Sequence, residues 1–211
     1  MREFRRCYLK VLLLVAAVSM VAALALKADV PKGWLLAGSK PGDFDAGVDG
    51  GQAFEGHSSA YLKSKSTAAD GFGTMMQSIS AEKYKGGRIR LSGVVKSERV
   101  MIWAGPWLRV DRGTESLAFD NMQNRPIKGT TEWQRYEVVL DVPKDATGIS
   151  FGILLNGAGE VWLSGTKLEV VGAEVPTTNL IEKHLPEQPV NLEFNEEAEA
   201  ETKRLRLANP G

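Results

Sequence analysis

Along residues 88–96, Ile89, Leu91 and Val95 fall on one side of an extended chain while Arg88, Arg90 and Lys96 fall on the other. That is the period-two alternation of a strand with one wet face. Residues 133–142 repeat it, with Tyr136, Val138, Leu140 and Val142 pointing one way and Arg135, Glu137 and Asp141 the other. Pro143 stops that run because it has no N–H for a ladder. Ile149, Phe151, Ile153 and Leu155 alternate likewise up to Asn156-Gly157, a turn pair that tolerates positive φ. Val161 and Leu163 then face inward, the phase breaks at Ser164-Gly165, and Leu168 and Val170 resume it, so a bulge at Gly165 is expected to restore register. Shorter strands are predicted at 33–38, 59–64, 73–79, 100–111 and 116–120, and a helical turn at 81–85. About eight strands without crossover helices predict an all-β, antiparallel two-sheet sandwich and disfavour an α/β enzyme.

The start of the chain breaks this pattern. Arg2, Arg5, Arg6 and Lys10 precede an uncharged apolar run over residues 11–26 that ends in Ala23-Leu24-Ala25. A positive flank, an apolar stretch and a small-x-small triplet describe an export signal. The run is shorter than the ~20 residues of a spanning helix, and a retained membrane anchor is the alternative. Residues 1–28 are therefore set apart as signal peptide or anchor, with a helix expected there and the remainder periplasmic or secreted. Cys7 precedes the run and so does not serve as a lipoprotein cysteine.

Charge and composition then remove whole classes of function. Bases and acids both number 26, and with residues 1–28 set aside 21 bases and 25 acids remain. The basic excess that draws phosphate is missing, so no nucleic-acid partner is expected. No cysteine remains to form a disulfide, and the core must hold the fold alone. His57 and His184 cannot fill a zinc shell with one Cys, and neither has a spaced Ser or Cys partner for a triad. The chain is expected to be non-catalytic and without a cofactor. A glycosidase-like hydrolase is the secondary alternative, because two acids at the right separation suffice for that chemistry. Asp43, Asp45, Asp49, Gly50 and Gly51 form an acidic, glycine-rich stretch that could offer oxygen ligands to a structural calcium ion, although a solvated loop is the plainer reading.

The candidate recognition surface is the segment 100–111. With Ile102, Ala104, Leu108 and Val110 directed to the core, Trp103, Trp107, Arg109 and Asp111 project from the opposite face. Two indoles about 13 Å apart, followed by a guanidinium and a carboxylate, suit an elongated polyhydroxylated ligand: rings stack on C–H faces and charged groups pair with hydroxyls. Pro106 argues for an edge or bulge that leaves this face accessible. The competing reading makes the tryptophans a packed satellite cluster. Asp120, Asn121 and Gln123 follow a strand end, where they either complete a pocket or cap their own turn. The module is placed at 29–176. Residues 177–211 form a flexible charged tail running from Glu196, Glu197, Glu199 and Glu201 to Lys203, Arg204 and Arg206, with a partner-binding helix over 196–207 as the alternative.

Several segments carry a resemblance. Gly33-Trp34-Leu35-Leu36-Ala37-Gly38-Ser39, Ser59-Ala60-Tyr61-Leu62-Lys63-Ser64, residues 103–111, residues 121–130, Trp133-Gln134-Arg135-Tyr136 and Gly159-Glu160-Val161-Trp162-Leu163 occur in the order of a galactose-binding-like jelly-roll module of bacterial exported proteins. The chain resembles that family, akin to carbohydrate-binding modules, over residues 31–176. The resemblance implies the jelly-roll fold and a non-catalytic binding role, usually for glycan, with a protein-interaction domain of the envelope as the alternative. Similar modules also occur in chains labelled transcriptional regulators; here the export-like start and the lack of a recognisable helix-turn-helix argue against that role. Where many such modules carry an acidic pair on the final strand, this sequence has Ser164 and Gly165.

Overall fold

Each alternating segment is a strand in the computed structural model, which describes residues 30–181 together with Leu192. The strands are β1 Leu35–Gly38, β2 Phe44–Phe54, β3 His57–Ser64, β4 Phe72–Ser80, β5 Arg88–Arg112, β6 Glu115–Asp120, β7 Ile127–Asp141, β8 Gly148–Asn156 and β9 Glu160–Val171. Every ladder among them is antiparallel. The fold is therefore all-β. Among the described residues there is a single short 3-10 turn at Pro41–Asp43, no α-helix, and no helix long and apolar enough to cross a membrane. The expected helical turn at 81–85 is a hydrogen-bonded turn in which Tyr84 N donates to Ala81 O at 2.8 Å. The apolar N-terminal run, Cys7, His184 and residues 196–207 lie outside the described residues.

The architecture turns on β5. The two segments expected at 88–96 and 100–111 are one strand of 25 residues. Its first half pairs with β7 and β9, and its second half pairs with β8 and β6. Register shifts against β7 between Val95 and Ala104 mark the corner between the halves. The sheet thus curls into a front layer, β7-β5-β9-β3-β2, and a back layer, β1-β4-β8-β5-β6, joined through β5.

Side chains facing inward from both layers form the core. One cluster joins Ile89, Leu91, Val138 and Leu140 of the front to Leu108, Val110, Ile149 and Phe151 of the back. A second joins Leu62, Val95, Val161 and Leu163 to Met75, Ala104, Ile153 and Leu155. Each such fully buried side chain contributes about 1.5–3 kcal/mol. The period-two phases are thereby met in β7, β8 and most of β5 and β9. At the predicted bulge, Ser92 pairs with Lys167 and Val94 with Ser164, so residues 165 and 166 both oppose Gly93, and Gly165 takes the left-handed φ of 59° that the extra residue needs. Gly157, at the predicted turn, has φ 75°.

Three expectations fail. The acidic stretch that suggested a calcium loop runs into β2: Phe44 and Ala46 are buried, and Asp45 and Asp49 alternate with them on the outer face. Ile102 is 48% exposed, because the corner in β5 carries it out of the core phase. Val170 is 61% exposed near the end of β9. Past the composition shift at residue 176, the chain stays attached: Thr178 N donates to Val139 O and Leu180 N to Phe119 O, both at 2.8 Å, and Asn179 Oδ1 accepts from Phe119 N at 2.9 Å. These bonds lace β7 to β6, and the first compact unit ends at Leu180. Of the second unit, Ile181–Gly211, only Ile181 and Leu192 are described, and both are exposed.

Candidate functional site

Antiparallel partners share a face, so the ladders locate the predicted platform directly. Trp103 lies beside Asn156, Trp107 beside Gly152, Arg109 beside Ser150 and Asp111 beside Gly148, all on the outer face of the back layer. The phase is as predicted, but the openness is not. Trp107 is 5% exposed although it belongs to neither core cluster. Its Nε1 donates to Thr74 Oγ1 at 2.7 Å, and that hydroxyl donates to Ile153 O at 2.9 Å. Thr74 is on β4 and Trp107 on β5, with β8 between them, so the indole spans β8 beside its cross-strand partner Gly152. Thr74, Ser150 and Leu154 around it are buried. Trp107 is thus a packed clasp across three strands, and the platform that paired it with Trp103 is corrected: alternation fixes which face a residue takes, not what covers that face.

The other predicted residues are likewise committed within the protein. Trp103 is half-buried. Arg109 Nε donates to Asp111 Oδ2 at 2.9 Å, and Ser116 Oγ donates to Asp111 Oδ1 at 3.0 Å. Asp120 is 0% exposed and accepts from Met122 N at 2.7 Å and from both terminal nitrogens of Arg125, at 3.1 and 2.6 Å. It braces its own turn. Asn121 Oδ1 accepts from Gln123 N at 3.2 Å, the self-capping alternative of the loop.

The front layer carries an aromatic face that the sequence reading passed over. Because Val161 and Leu163 point inward, Trp162 must point outward, and it does: Lys96, Trp162, Tyr61 and Gly47 form one row across β5, β9, β3 and β2. Trp162 Nε1 donates to Asp49 Oδ2 at 3.0 Å, while Asp49 Oδ1 accepts from Gly51 N at 2.8 Å. Lys96 Nζ donates to Gln52 Oε1 at 3.4 Å, and Phe54 meets Trp133 with ring centroids 5.6 Å apart. β2 and β7 are the two edges of this layer, so the end of β2 folds over the face. Burial pushes the Tyr61 hydroxyl above its ordinary pKa, and Asp45, Glu160 and Asp49 push it further while Lys63 opposes them. Among the described residues no three His, Cys, Asp or Glu converge on a point, and the Asp45 and Asp49 carboxylates of the suspected calcium stretch face Lys65 and Trp162 instead.

The next row on this face is charged: Asp45 pairs with Lys63, Lys63 with Glu160 and Glu160 with Glu98. It opens into a pocket of about 480 Å3 at the corner of β5, walled by residues 63–67, 98–99, Met101 and 158–160. Glu160, its side chain 15% exposed, is 3.1 Å from Lys63 Nζ, and Glu98 is 2.9 Å from Arg99. Lys65 Nζ donates to Gly42 O at 2.7 Å. The wall is held by a reciprocal contact, since Ser64 Oγ accepts from Gly159 N at 3.0 Å and Ser64 N donates to Gly159 O at 3.0 Å. Gly159 is needed there: it has φ 139°, and a Cβ would lie 2.7 Å from Val100 Cα and 2.9 Å from Arg99 O. The pocket therefore offers acids, bases, the Ser66 and Thr67 hydroxyls and the apolar surface of Met101 and Ala158. None of the seven residues predicted from the sequence lines it.

No family model matches the chain. It is 47% identical over 169 residues to the uncharacterized HTH-type transcriptional regulator YbfP of Bacillus subtilis strain 168, covering 79% of this chain and 57% of that protein. The chain thus spans little more than half the length of that relative. Among solved structures it is similar to endo-1,4-beta-D-xylanase 10B of Clostridium thermocellum, CBM22-1 and GH10 modules complexed with xylohexaose, with TM-score 0.50 and 14% identity over 69% of this chain and 27% of that one. It is equally similar to a cyclase from Fischerella sp. TAU, with TM-score 0.50 and 14% identity over 74% of this chain and 94% of that one. At such identities the likeness is one of fold, a β-sandwich that serves binding modules and enzymes alike.

Proposed function

We propose that this protein is a non-catalytic binding module of jelly-roll, galactose-binding-like type that takes a polyhydroxylated ligand, a short glycan, in the pocket at the corner of β5. The observation that carries this reading is the pocket itself: about 480 Å3, with carboxylates, cations, hydroxyls and an apolar wall facing one space. That mixture suits a sugar, whose hydroxyls need both donors and acceptors and whose C–H faces need apolar cover. Xylohexaose in the complex of the structurally similar xylanase chain agrees with this ligand class. The name of the Bacillus relative, a transcriptional regulator, suits a module that senses a ligand on behalf of a longer chain. In this chain the basic, apolar N-terminus would instead carry the module out of the cytoplasm.

A non-catalytic role is favoured over glycoside hydrolysis, although Glu98 and Glu160 are cross-strand partners in the pocket. A general acid is built by an apolar wall against the carboxyl group, whereas Arg99 and Lys63 stand against these two.

The test is a glycan array probed with the full chain. Thr67→Trp, an exposed change that fills the pocket, should abolish binding, while Trp103→Ala should preserve it. Retained binding in the first variant, or loss in the second, would return the site to the back layer or remove it.

A further inference from the structure

We infer that the pocket selects a sugar bearing a carboxylate, and that Arg99 is the group that engages it; this rests on the pocket being the binding site. The argument starts from which charges are already used. Lys63 stands 3.1 Å from Glu160, which is mostly buried, and Lys65 donates to Gly42 O, so both ammonium groups help hold the wall. Arg99 differs. Its side chain is 76% exposed, and its partner is the neighbouring Glu98 at 2.9 Å. An exposed pair of this kind exchanges readily for a better one.

The backbone of Arg99 points the same way. It has φ 50°, the left-handed region that glycine enters freely and a branched-off side chain enters at a cost. Arg99 N donates to Thr130 Oγ1 at 3.1 Å, which fixes this strained geometry at the corner. Folding alone would be served better by glycine here. A guanidinium kept at a strained, solvent-facing position of a pocket rim is placed for what it can reach.

Its chemistry then names the ligand. The guanidinium fork matches a carboxylate through two parallel hydrogen bonds, a match no neutral hydroxyl offers. Among the lining residues, Lys63, Lys65 and Arg99 set against Glu98 and Glu160 leave one formal positive charge. That complements the single negative charge of a uronic acid, whereas a phosphate dianion carries one negative charge more than the lining balances. The volume falls within the range of pockets for small ligands, and Met101 and Ala158 supply cover for a ring face.

The experiment is calorimetric titration of the full chain with glucuronate-bearing and galacturonate-bearing tetrasaccharides and their neutral counterparts, at low and high salt, in the wild type and Arg99→Gly. An acidic tetrasaccharide should bind at least about tenfold more tightly than its neutral counterpart, and salt should erode that preference. Arg99→Gly should abolish the preference while raising the melting temperature. Equal binding of acidic and neutral sugars, lost in Thr67→Trp, would overturn the inference and leave the pocket reading intact. Binding of neither class would overturn both. A lower melting temperature in Arg99→Gly would make the guanidinium structural and overturn the inference.

Discussion

Trp107 and Trp162 lie on opposite layers and are anchored alike. Each indole reaches from its own strand over one neighbour to a polar group on the next: Trp107 crosses β8 to Thr74, and Trp162 crosses β3 to Asp49. The difference lies in what surrounds them. Around Trp107 the row holds Gly152, and Thr74, Ser150 and Leu154 are buried, so the back-layer face is spent on its own aromatic. Around Trp162 the row holds Tyr61 and Lys96, and the row beyond is charged and runs into open space. A large aromatic on an outer face is therefore no sign of recognition by itself. The sign is a set of polar groups beside it that the fold has left accessible.

This contrast can be broken most forcefully at the back layer. Arg125→Ala leaves the Asp120 carboxylate buried without its cation and should cost about 3–5 kcal/mol in denaturant unfolding. Adding Asp120→Asn should recover part of that loss, which a ligand-binding role for Asp120 would not foresee. Trp107→Ala should cost about 3–5 kcal/mol by the same measurement, with glycan binding intact once the protein is folded. A cost below 1 kcal/mol would restore the exposed-platform reading. On the front layer Asp49→Ala removes the acceptor of Trp162 Nε1, Gly51 N and Gln52 N and should cost about 1–3 kcal/mol. The smallest effect is electrostatic. The hydrogen bond from Arg90 holds the Glu169 carboxyl below its ordinary value, against the smaller opposing pull of burial. A depressed folded pKa means that the contribution to stability exists above the unfolded carboxylate range and fades as pH falls through the folded value. The pair is exposed, so the change in stability should be slight, and the test is NMR titration: the Glu169 midpoint should lie low and return toward normal in Arg90→Gln.

Much of the fold was legible because its strands obey simple periodicity. Ile149, Phe151, Ile153 and Leu155 announce β8, and the phase break at Ser164-Gly165 announces the bulge down to the residue. β2 was not legible, since Asp45, Gly47, Asp49, Gly50 and Gly51 are poor strand formers, and pairing with β3 overrides that local preference. The union of two expected strands into β5 was hidden for a related reason: the corner at residues 97–104 interrupts the alternation without ending the strand. The candidate site was legible only in part. The facing of Trp103, Trp107, Arg109 and Asp111 followed from parity, but burial on an outer face depends on neighbouring strands that parity cannot name. The pocket draws on residues 63–67, 98–101 and 158–160, which only the topology brings together. Trp162 had a readable signal in its place between inward-facing Val161 and Leu163, and Arg99 had none.

One strand belongs to both layers, and the pocket sits where that strand turns. A molecule seated there touches that corner together with the end of β3 and the start of β9. Its occupancy would therefore be felt throughout the body as resistance to heat, about 2.7 kcal/mol at a concentration a hundredfold above Kd. Thermal-shift screening of acidic and neutral oligosaccharides would thus find a ligand without any label or assay of activity.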